Sequence, residues 1–410
     1  MATAAQGELS SLSTGRSGSE FDLLCACCRV SDTGPSIEEA ISIEEAISPN
    51  LNWDRFLKLA SFHRVLPAVH AALKCQADVP ASILSALDAR FTSHVKRVLR
   101  FSAELAGIVR QFENAGIEVL CHKGPVLAQH LYGDATAREF GDLDFLVRPR
   151  DVRQARAILC DLGYLPRLMV RGKQEREYIR IGYEYVFSSA AGPNVVELQW
   201  QIVPRFYAVN FQIESFFDRS IEIEFEGQRV RSLRNQDLLL VLCVHAAKHG
   251  WSQLGMVRDI AAVSRRDIDW NAAVKEAQQL GIIKILAISL KLTKELPGTE
   301  LPKAFTSSHL GFDGNHAQQI RRRMSCAEEL RTDSFEYFRG MMNLRERWRD
   351  QLRFLWRLAA TPTLGEWQAV DLPEPLFPLY RGVRAWRLAA RGFRGLTSSL
   401  RSLTAPARCE

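Results

Sequence analysis

The sequence predicts an α+β protein in which a small mixed sheet lies between two helical regions. Apolar residues recur at helical spacing from Phe21 to about Gly116, and again beyond Asn235. Between these regions, short β-branched and aromatic runs alternate with turn residues, as expected of strands. We therefore divide the 410 residues into a disordered tail (1–20), an N-terminal helical region (21–115), an α/β core (116–232) and a C-terminal helical region (233–410).

Helical periodicity predicts the elements outside the core. Asn52-Trp53-Asp54 opens an amphipathic helix, and Thr92 to Asn114 forms another. After the core, Asp237 to Lys248 is a strongly apolar helix, and Asp269 opens the next one. A Pro-punctuated connection over 362–378 precedes a final basic helix.

The core begins with an apolar run, Gly116 to Cys121, which predicts a strand that ends in a Lys-Gly-Pro turn and a helix. A second strand follows at Gly141 to Val147, and then a helix from Pro149 to Leu162. Two hairpins are predicted next, over 183–200 and 221–230.

Composition limits the classes of protein that need to be considered. With 47% hydrophobic and 24% charged residues, the chain resembles an ordinary globular protein. The most apolar segment, Leu238 to Ala247, is far shorter than the roughly 20 residues of a membrane span. The first 20 residues lack the apolar core of a secretion signal. The nine cysteines are odd in number and scattered, which predicts reduced thiols and a cytoplasmic location.

The formal net charge of +6 is concentrated near the C-terminus. Residues 341–410 hold twelve Arg, no Lys and six acidic residues, so the first 340 residues are close to neutral. This distribution argues against a generally basic nucleic-acid-binding protein. Arginines of the predicted helix from Tyr380 to about Leu403 either contact RNA, an anionic membrane or an acidic partner, or form a solvated helix face.

The second strand of the core carries two carboxylates, Asp142 and Asp144, at positions i and i+2. Because side chains alternate along a strand, both project from the same face. Like charges that close are costly unless a cation lies between them, and Mg²⁺ suits both carboxylate oxygens and substrate phosphates. Glu197 lies within the apolar run of a later strand and supplies a third carboxylate if the two strands are neighbours. Three such carboxylates hold the two metal ions of a phosphoryl or nucleotidyl transfer site.

Candidate phosphate contacts lie beside these carboxylates. Lys123 and Gly124 form the turn before a helix, whose N-terminus offers free N–H groups. Pro125 fits the first turn of that helix, where its missing N–H would be unbonded in any case. Arg138 either contacts a triphosphate or pairs with Asp142.

Two histidines, His245 and His249, stand at i and i+4 on one predicted helix, with Lys248 between them. This spacing suits zinc, but no convincing third ligand follows. The alternatives are a polar face that lines the active cleft, with Lys248 directed at phosphate, or a structural histidine pair. Asp259 either orients one of these side chains or forms an ordinary ion pair.

Each site residue also has a purely structural interpretation. Asp142 and Asp144 would then form a solvated strand end beside Arg148, Lys123 would be a surface lysine, and Glu197 would face solvent on an edge strand. The apolar residues around the acids favour a buried site, where unpaired carboxylates are costly.

These motifs resemble the DNA polymerase β-like nucleotidyltransferase superfamily, and more specifically its bacterial uncharacterised nucleotidyltransferase family, often found near peptide natural-product clusters. The matching segments are Lys123-Gly124-Pro125, Leu131-Tyr132-Gly133-Asp134, Arg138, Gly141 to Val147, Leu162-Gly163-Tyr164, Val196 to Trp200, His245, Lys248-His249, Trp251, Asp259 and Leu372-Pro373. The resemblance implies a polymerase β-like catalytic core with two Mg²⁺ ions. It also implies transfer of a nucleoside monophosphate, AMP from ATP, to a small-molecule or peptide acceptor, with release of pyrophosphate.

Two departures from the superfamily keep a second function open. The usual Gly-Ser phosphate turn is Gly124-Pro125 here, so a hydroxyl contact to phosphate is missing, and the spacing to Asp142 is several residues longer. The replacement of Ser by Pro125 favours a non-catalytic nucleotidyltransferase-fold protein that binds a peptide or partner enzyme in a biosynthetic pathway. The three acids count against it, because a scaffold has no need of them. An enzyme acting on RNA would need a continuous basic track leading to the carboxylates.

Overall fold

A computed structural model describes residues 19–29, 37–170, 172–189, 194–300, 314–328, 330, 334–362, 364–370, 372–388 and 390. Helices flank a five-stranded mixed sheet and a two-stranded sheet, which confirms the α+β fold class. Most of the predicted tail, the turn 191–193 and the end of the predicted C-terminal helix lie outside the described residues. Ser19 and Glu20 already belong to the first helix, so the predicted tail extends too far.

Five helices precede the sheet: α1 (Ser19–Cys27), α2 (Ile37–Ala46), α3 (Trp53–Phe62), α4 (Leu66–Leu73) and α5 (Ala81–Asn114). Helix α3 begins as predicted, because the Asn52 side chain accepts a hydrogen bond from the backbone N–H of Arg55. Helix α5 begins at Ala81 rather than Thr92 and is 34 residues long.

The larger sheet contains β1 (Val119–Leu120), β2 (Asp142–Val147), β3 (Tyr164–Pro166), β4 (Glu184–Ser189) and β5 (Val195–Gln199). Its strand order is β1-β2-β5-β4-β3. Strands β2 and β5 are parallel neighbours, and the other pairs are antiparallel. In this register Asp144 lies opposite Glu197, so the two acid-bearing strands are adjacent.

The core helices are α6 (Gly124–Tyr132), α7 (Val152–Asp161), α8 (Gly172–Ile181) and α9 (Ile213–Asp218), and β6 (Ile221–Phe225) and β7 (Gln228–Ser232) form the second sheet. Both predicted hairpin pairings are confirmed. In the second hairpin the turn residues Glu226 and Gly227 have φ values of 49° and 72°. Two positive φ values in a two-residue loop match the twist of the flanking strands. The sequence did not predict β3 or α8.

The helices after the core are α10 (Asn235–Lys248), α11 (Leu254–Ser264), α12 (Trp270–Leu280), α13 (Ile283–Glu295), α14 (Gly314–Ser325), α15 (Phe335–Asn343), α16 (Trp348–Ala360) and α17 (Leu364–Ala369). The connection predicted over 362–378 therefore contains α17 and the start of a 3₁₀ helix, Glu374–Leu379. Residues 380–388 are helical, in agreement with the predicted basic helix. None of the helices in the described ranges has the length and apolar character of a membrane span.

Strand β2 lies between two hydrophobic cores. Leu143, Phe145 and Val147 pack in a core with α5, whereas Leu146 packs in the core formed mainly by the flanking helices. Because side chains alternate along the strand, Asp142 and Asp144 share the face of Leu146. The carboxylates therefore lie on the side of the sheet opposite α5.

Phe145 tests how strongly α5 and β2 depend on each other. Its buried ring meets Phe112 of α5 edge-on, with the ring centroids 5.7 Å apart. We expect Phe145→Ala to lower the free energy of unfolding by about 3–5 kcal/mol, since it leaves a cavity. Leu165→Ala, at a position 62% exposed, should change it by about 0.5 kcal/mol or less. Equal effects in chemical denaturation would contradict this packing.

Candidate active site

The three predicted acids converge on one site. One carboxylate oxygen from each of Asp142, Asp144 and Glu197 lies within 4.8 Å of the others. Parallel pairing of β2 with β5 brings them together, because it places Asp144 directly beside Glu197. Among the described residues, this is the group of at least three Asp, Glu, His or Cys side chains whose ligand atoms lie close enough together to bind a metal ion.

A lysine and an amide partly balance these acids. The Lys123 ammonium lies 2.7 Å from Asp144 Oδ1. Gln199 Nε2 donates to Asp144 Oδ1 at 2.9 Å and to Glu197 Oε2 at 3.0 Å. Asp144 is 1% exposed, and its second oxygen has no hydrogen-bond partner in the described part of the chain. An anionic oxygen buried in this way is costly, and a bound cation would satisfy it.

The protonation of the three acids differs because their surroundings differ. Burial and the neighbouring Asp144 charge raise the pKa of Asp142. Burial would also raise the pKa of Asp144, but the charge of Lys123 outweighs it and lowers that pKa. Burial, followed by the charges of Asp144 and Glu184, raises the pKa of Glu197 to about 8. Glu197 is therefore the acid best able to hold a proton near neutral pH.

The Lys-Gly-Pro turn lies against the same strand. Gly124 has a φ of 61°, a conformation that favours glycine, and Pro125 occupies the first turn of α6 as predicted. A Cβ atom on Gly124 would lie 3.6 Å from the carbonyl oxygen of Asp142. The positive φ rather than crowding requires glycine here, and the turn brings Lys123 to the carboxylates.

Arg138 pairs with Asp259 rather than with Asp142, one of its two predicted partners. Its Nε donates to Asp259 of α11 at 2.7 Å, and Tyr132 donates to the other oxygen of Asp259 at 2.8 Å. Of the two alternatives for Asp259, the structure therefore supports the ion pair. The Arg138 charge still acts on the site, because it helps to lower the pKa of Asp142 against the effect of burial.

His245 of α10 and His249, which directly follows this helix, lie close enough to the site for the charge of Lys123 to act on both rings. The ring centroids of His245 and His249 are 4.7 Å apart. Burial lowers both pKa values, that of His249 to about 3, and the positive charges of Lys123 and Lys248 lower them further. Both rings are therefore neutral at pH 7. Across the described ranges, neither belongs to a group of three metal-ligating side chains, which disfavours zinc.

Lys248, between the two histidines, lies near the beginning of β4. Its ammonium is 5.4 Å from the centroid of the Tyr183 ring, and its charge also lowers the pKa of Glu184 against the effect of burial. Helix α10 therefore contributes a cation to the same cleft, although Lys248 does not contact the three acids directly.

Four residues near the site were not predicted as functional. Gln199 lies two residues after Glu197 on β5 and therefore on the same face of the sheet. This spacing could have identified it from the sequence. Glu184 is the first residue of β4. His122 is buried beside Lys123 and makes no hydrogen bond through its ring nitrogens to any described residue. Arg64 comes from the loop between α3 and α4, and its charge acts on Asp142 and His249. No local pattern marks Arg64, because it reaches the site only through the tertiary fold.

The fold and the acidic site define an α+β protein with a candidate carboxylate metal centre. Residues 49–298 match the model of a family described as uncharacterised nucleotidyltransferase. This segment is more than half of the chain, so the protein belongs to that family. No curated protein matches the sequence. Among solved structures, the chain is similar to an antigenic nucleotidyltransferase-like protein from Paracoccidioides brasiliensis, with 12% identity, a TM-score of 0.31, and coverage of 51% of this chain and 91% of that one.

The raised pKa of Glu197 predicts a pH-dependent stability in EDTA. Between the unfolded pKa of about 4.3 and the folded pKa of about 8, the folded protein holds a proton that the unfolded chain has released. The free energy of unfolding should therefore fall as pH rises through this window. The Glu197→Gln variant lacks this ionisable group. In urea titrations its free energy of unfolding, measured relative to that of wild type, should therefore increase with pH.

The matched control for this pH series is Glu222→Gln, which changes an exposed carboxylate on β6. Its stability relative to wild type should stay nearly constant over the same window. A Glu197→Gln profile parallel to that of the control would show that Glu197 ionises normally in the folded protein.

Proposed function

We propose that this protein is a cytoplasmic, Mg²⁺-dependent nucleotidyltransferase of the polymerase β-like type. It transfers AMP from ATP to a hydroxyl group of a small molecule or peptide in a biosynthetic pathway. The acceptor oxygen forms a bond to the α-phosphorus, the bond from that phosphorus to the β-phosphate bridge breaks, and pyrophosphate leaves. The convergence of Asp142, Asp144 and Glu197, with Asp144 fully buried, carries this proposal. Membership in the nucleotidyltransferase family supports it.

The residues present fit a divalent metal centre. Three carboxylates offer hard oxygen ligands within 4.8 Å of one another, and a buried oxygen of Asp144 lacks a partner among the described residues. Asp142 and Asp144 would hold both ions, and Glu197 would hold the ion nearer the acceptor. When bound, such ions neutralise charge on the phosphates and orient the reacting oxygens.

As the ligand nearest the acceptor, Glu197 would also receive the proton of the acceptor hydroxyl, since a bound cation would keep its carboxylate ionised. Gln199 holds Glu197 in place through the bond from its side-chain amide. Lys123 pairs with a phosphate oxygen once Asp144 serves as a ligand, since its ammonium already points at the site. The result is a general base positioned beside a phosphate-binding cation.

The remaining polar residues form the triphosphate side of the cleft. The turn at Gly124 places the N-terminus of α6 beside β2, where backbone N–H groups favour an anion. Arg138, held by Asp259, and Lys248 add positive charge. The neutral rings of His245 and His249 then donate hydrogen bonds without adding charge.

A non-catalytic binding protein is the second candidate. Two observations favour it: Pro125 removes the usual hydroxyl contact, and the Lys123–Asp144 ion pair already neutralises one acid. Such a protein would bind its peptide or partner enzyme without a metal-dependent nucleotide site. Nucleotide binding therefore separates the two functions.

Calorimetric titration with ATP, with and without Mg²⁺, is the first test. Wild type should bind ATP more tightly when Mg²⁺ is present. The double variant Asp142→Asn/Asp144→Asn should lose that metal-dependent increase, by about tenfold or more, because neutral amides are poor Mg²⁺ ligands. The absence of any Mg²⁺ effect on ATP binding by folded wild-type protein would contradict enzymatic transfer and favour the binding protein.

The matched control is Glu222→Gln/Glu224→Gln. It neutralises two acids that are also spaced i and i+2 on a strand, but these are exposed on β6. Its metal-dependent ATP binding should equal that of wild type. A loss in the control as large as that in the aspartate variant would show that overall charge, rather than the site, is responsible.

Arg64 supplies a second test, because its backbone is strained. It adopts a φ of 53°, which is uncommon for a residue other than glycine. Its turn is fixed by the N–H of Gly255, which donates to the carbonyl of His63 at 3.0 Å. We expect Arg64→Gly to raise the free energy of unfolding by about 1 kcal/mol while weakening Mg–ATP binding about tenfold. Such opposite effects indicate a strained residue kept for ligand binding.

Arg64→Lys separates charge from strain in that experiment. It keeps the cation and the strained backbone, so it should be less stable than Arg64→Gly but bind Mg–ATP more tightly. If both variants bind Mg–ATP as wild type does, Arg64 has no role in the nucleotide site.

A further inference from the structure

A second charged cleft lies outside the carboxylate site. It has a volume of about 580 Å³, between α8, the 3₁₀ turn Arg205–Tyr207, α16 and the segment after residue 374. Four arginines line it: Arg180, Arg205, Arg357 and Arg381. Of the described residues that line it, only Glu177 is acidic. We call this the arginine cleft.

The arginine cleft carries an excess of positive charge. Arg180 pairs with Glu177. Arg205 donates to the backbone carbonyl of Arg180 at 3.0 Å, and Arg357 donates to the side-chain oxygen of Asn210 at 2.9 Å. These last two oxygens are uncharged, so they fix the guanidinium groups without neutralising them. Burial, followed by the charge of Arg205, lowers the pKa of Arg357, as expected for crowded like charges.

Aromatic side chains accompany these arginines. Trp356, next to Arg357 on α16, lines the cleft and is 71% exposed. Phe377 also lines the cleft. Guanidinium groups bind phosphate through paired hydrogen bonds, and an exposed indole offers a face for stacking of a base. A nucleotide contains both a phosphate group and a planar base.

An adjoining cleft of about 560 Å³ shares Arg180 and Arg205 and also contains Arg176. Its lining extends to Gly182 and Gln201. These residues immediately precede β4 and closely follow β5, the strands that carry Glu184 and Glu197. The basic surface therefore extends from the C-terminal segment to the ends of the strands that form the acidic site.

We propose that the arginine cleft is a second binding site, for a nucleotide-like small molecule with a phosphate group and an aromatic base. Its volume lies within the roughly 300–1,000 Å³ of small-molecule sites, which favours such a ligand over an extended nucleic acid. The guanidinium groups bind the phosphate, and Trp356 stacks on the base. Binding here requires neither Mg²⁺ nor the three acids, so the site does not depend on the proposed transfer reaction.

The test uses full-length Asp142→Asn/Asp144→Asn protein in EDTA, in which the metal-dependent site is disabled. Calorimetry with ATP and AMP should show one site per chain. Adding Arg357→Ala/Arg381→Ala should weaken that binding by about tenfold or more. Adding Arg339→Ala/Arg349→Ala instead, which removes two arginines that do not line the cleft, should leave it unchanged. Circular dichroism of each variant confirms that it is folded.

Trp356→Leu tests the stacking part of the proposal. It should weaken AMP binding about fivefold to tenfold and leave pyrophosphate binding unchanged, because pyrophosphate has no base. If AMP binding is unaffected while both ligands need the arginines, the cleft is a phosphate site and the nucleotide assignment is overturned.

Three other results would overturn the proposal. The first is that neither ATP nor AMP binds in EDTA. The second is that the cleft variant and the control variant lose the same amount of nucleotide affinity. The third is that a single-stranded oligoribonucleotide binds although ATP and AMP do not. Failure of the separate Mg–ATP titration of wild type would count against the proposed transfer reaction alone.

Discussion

The carboxylates of Asp142, Asp144 and Glu197 lie within 4.8 Å of one another, and the neighbouring residues of the site compensate their negative charge. Lys123 supplies a positive charge and Gln199 supplies hydrogen bonds, and both stabilise these carboxylates. Lys123 reaches Asp144 because Gly124 turns the chain in a conformation that favours glycine. A buried acid without such partners would be costly. The turn that was predicted to bind phosphate therefore also stabilises the folded protein before any ligand arrives.

The helical regions complete this balance of charge. Helix α11 holds Arg138 through Asp259, and the loop between α3 and α4 brings Arg64. His63 fixes that loop, since its ring contacts both the N–H of Leu254 and the carbonyl of Met324 at 3.1 Å. Cations from both flanking regions thus surround acids from the central sheet. The predicted division at residues 115 and 232 describes the chain order, whereas the site draws on all three parts.

Local patterns explain which site residues could be predicted. Period-two alternation placed Asp142 and Asp144 on one face, and apolar neighbours identified Glu197. The pairing of β2 with β5 joins distant segments, so the sequence predicted that the three acids meet only if these two strands are neighbours. The structure shows that they are. The partner of Arg138 and the approach of Arg64 are contacts between distant segments that no spacing reveals. The elements β3 and α8 were missed because one has three residues and the other is strongly polar.

In the structure, part of the predicted C-terminal basic surface belongs to the arginine cleft. Arg357 and Arg381 do not form a separate patch, because they meet Arg180 and Arg205 from the nearly neutral part of the chain. The family match ends at residue 298, so family membership does not by itself predict the arginine cleft. The connection to the acidic site is short, since Gly182 joins α8 to β4, and a Cβ atom there would lie 2.7 Å from the carbonyl of Tyr178. Gly182 therefore has no room for a side chain, and a short, closely packed link joins the arginine cleft to the strand that carries Glu184.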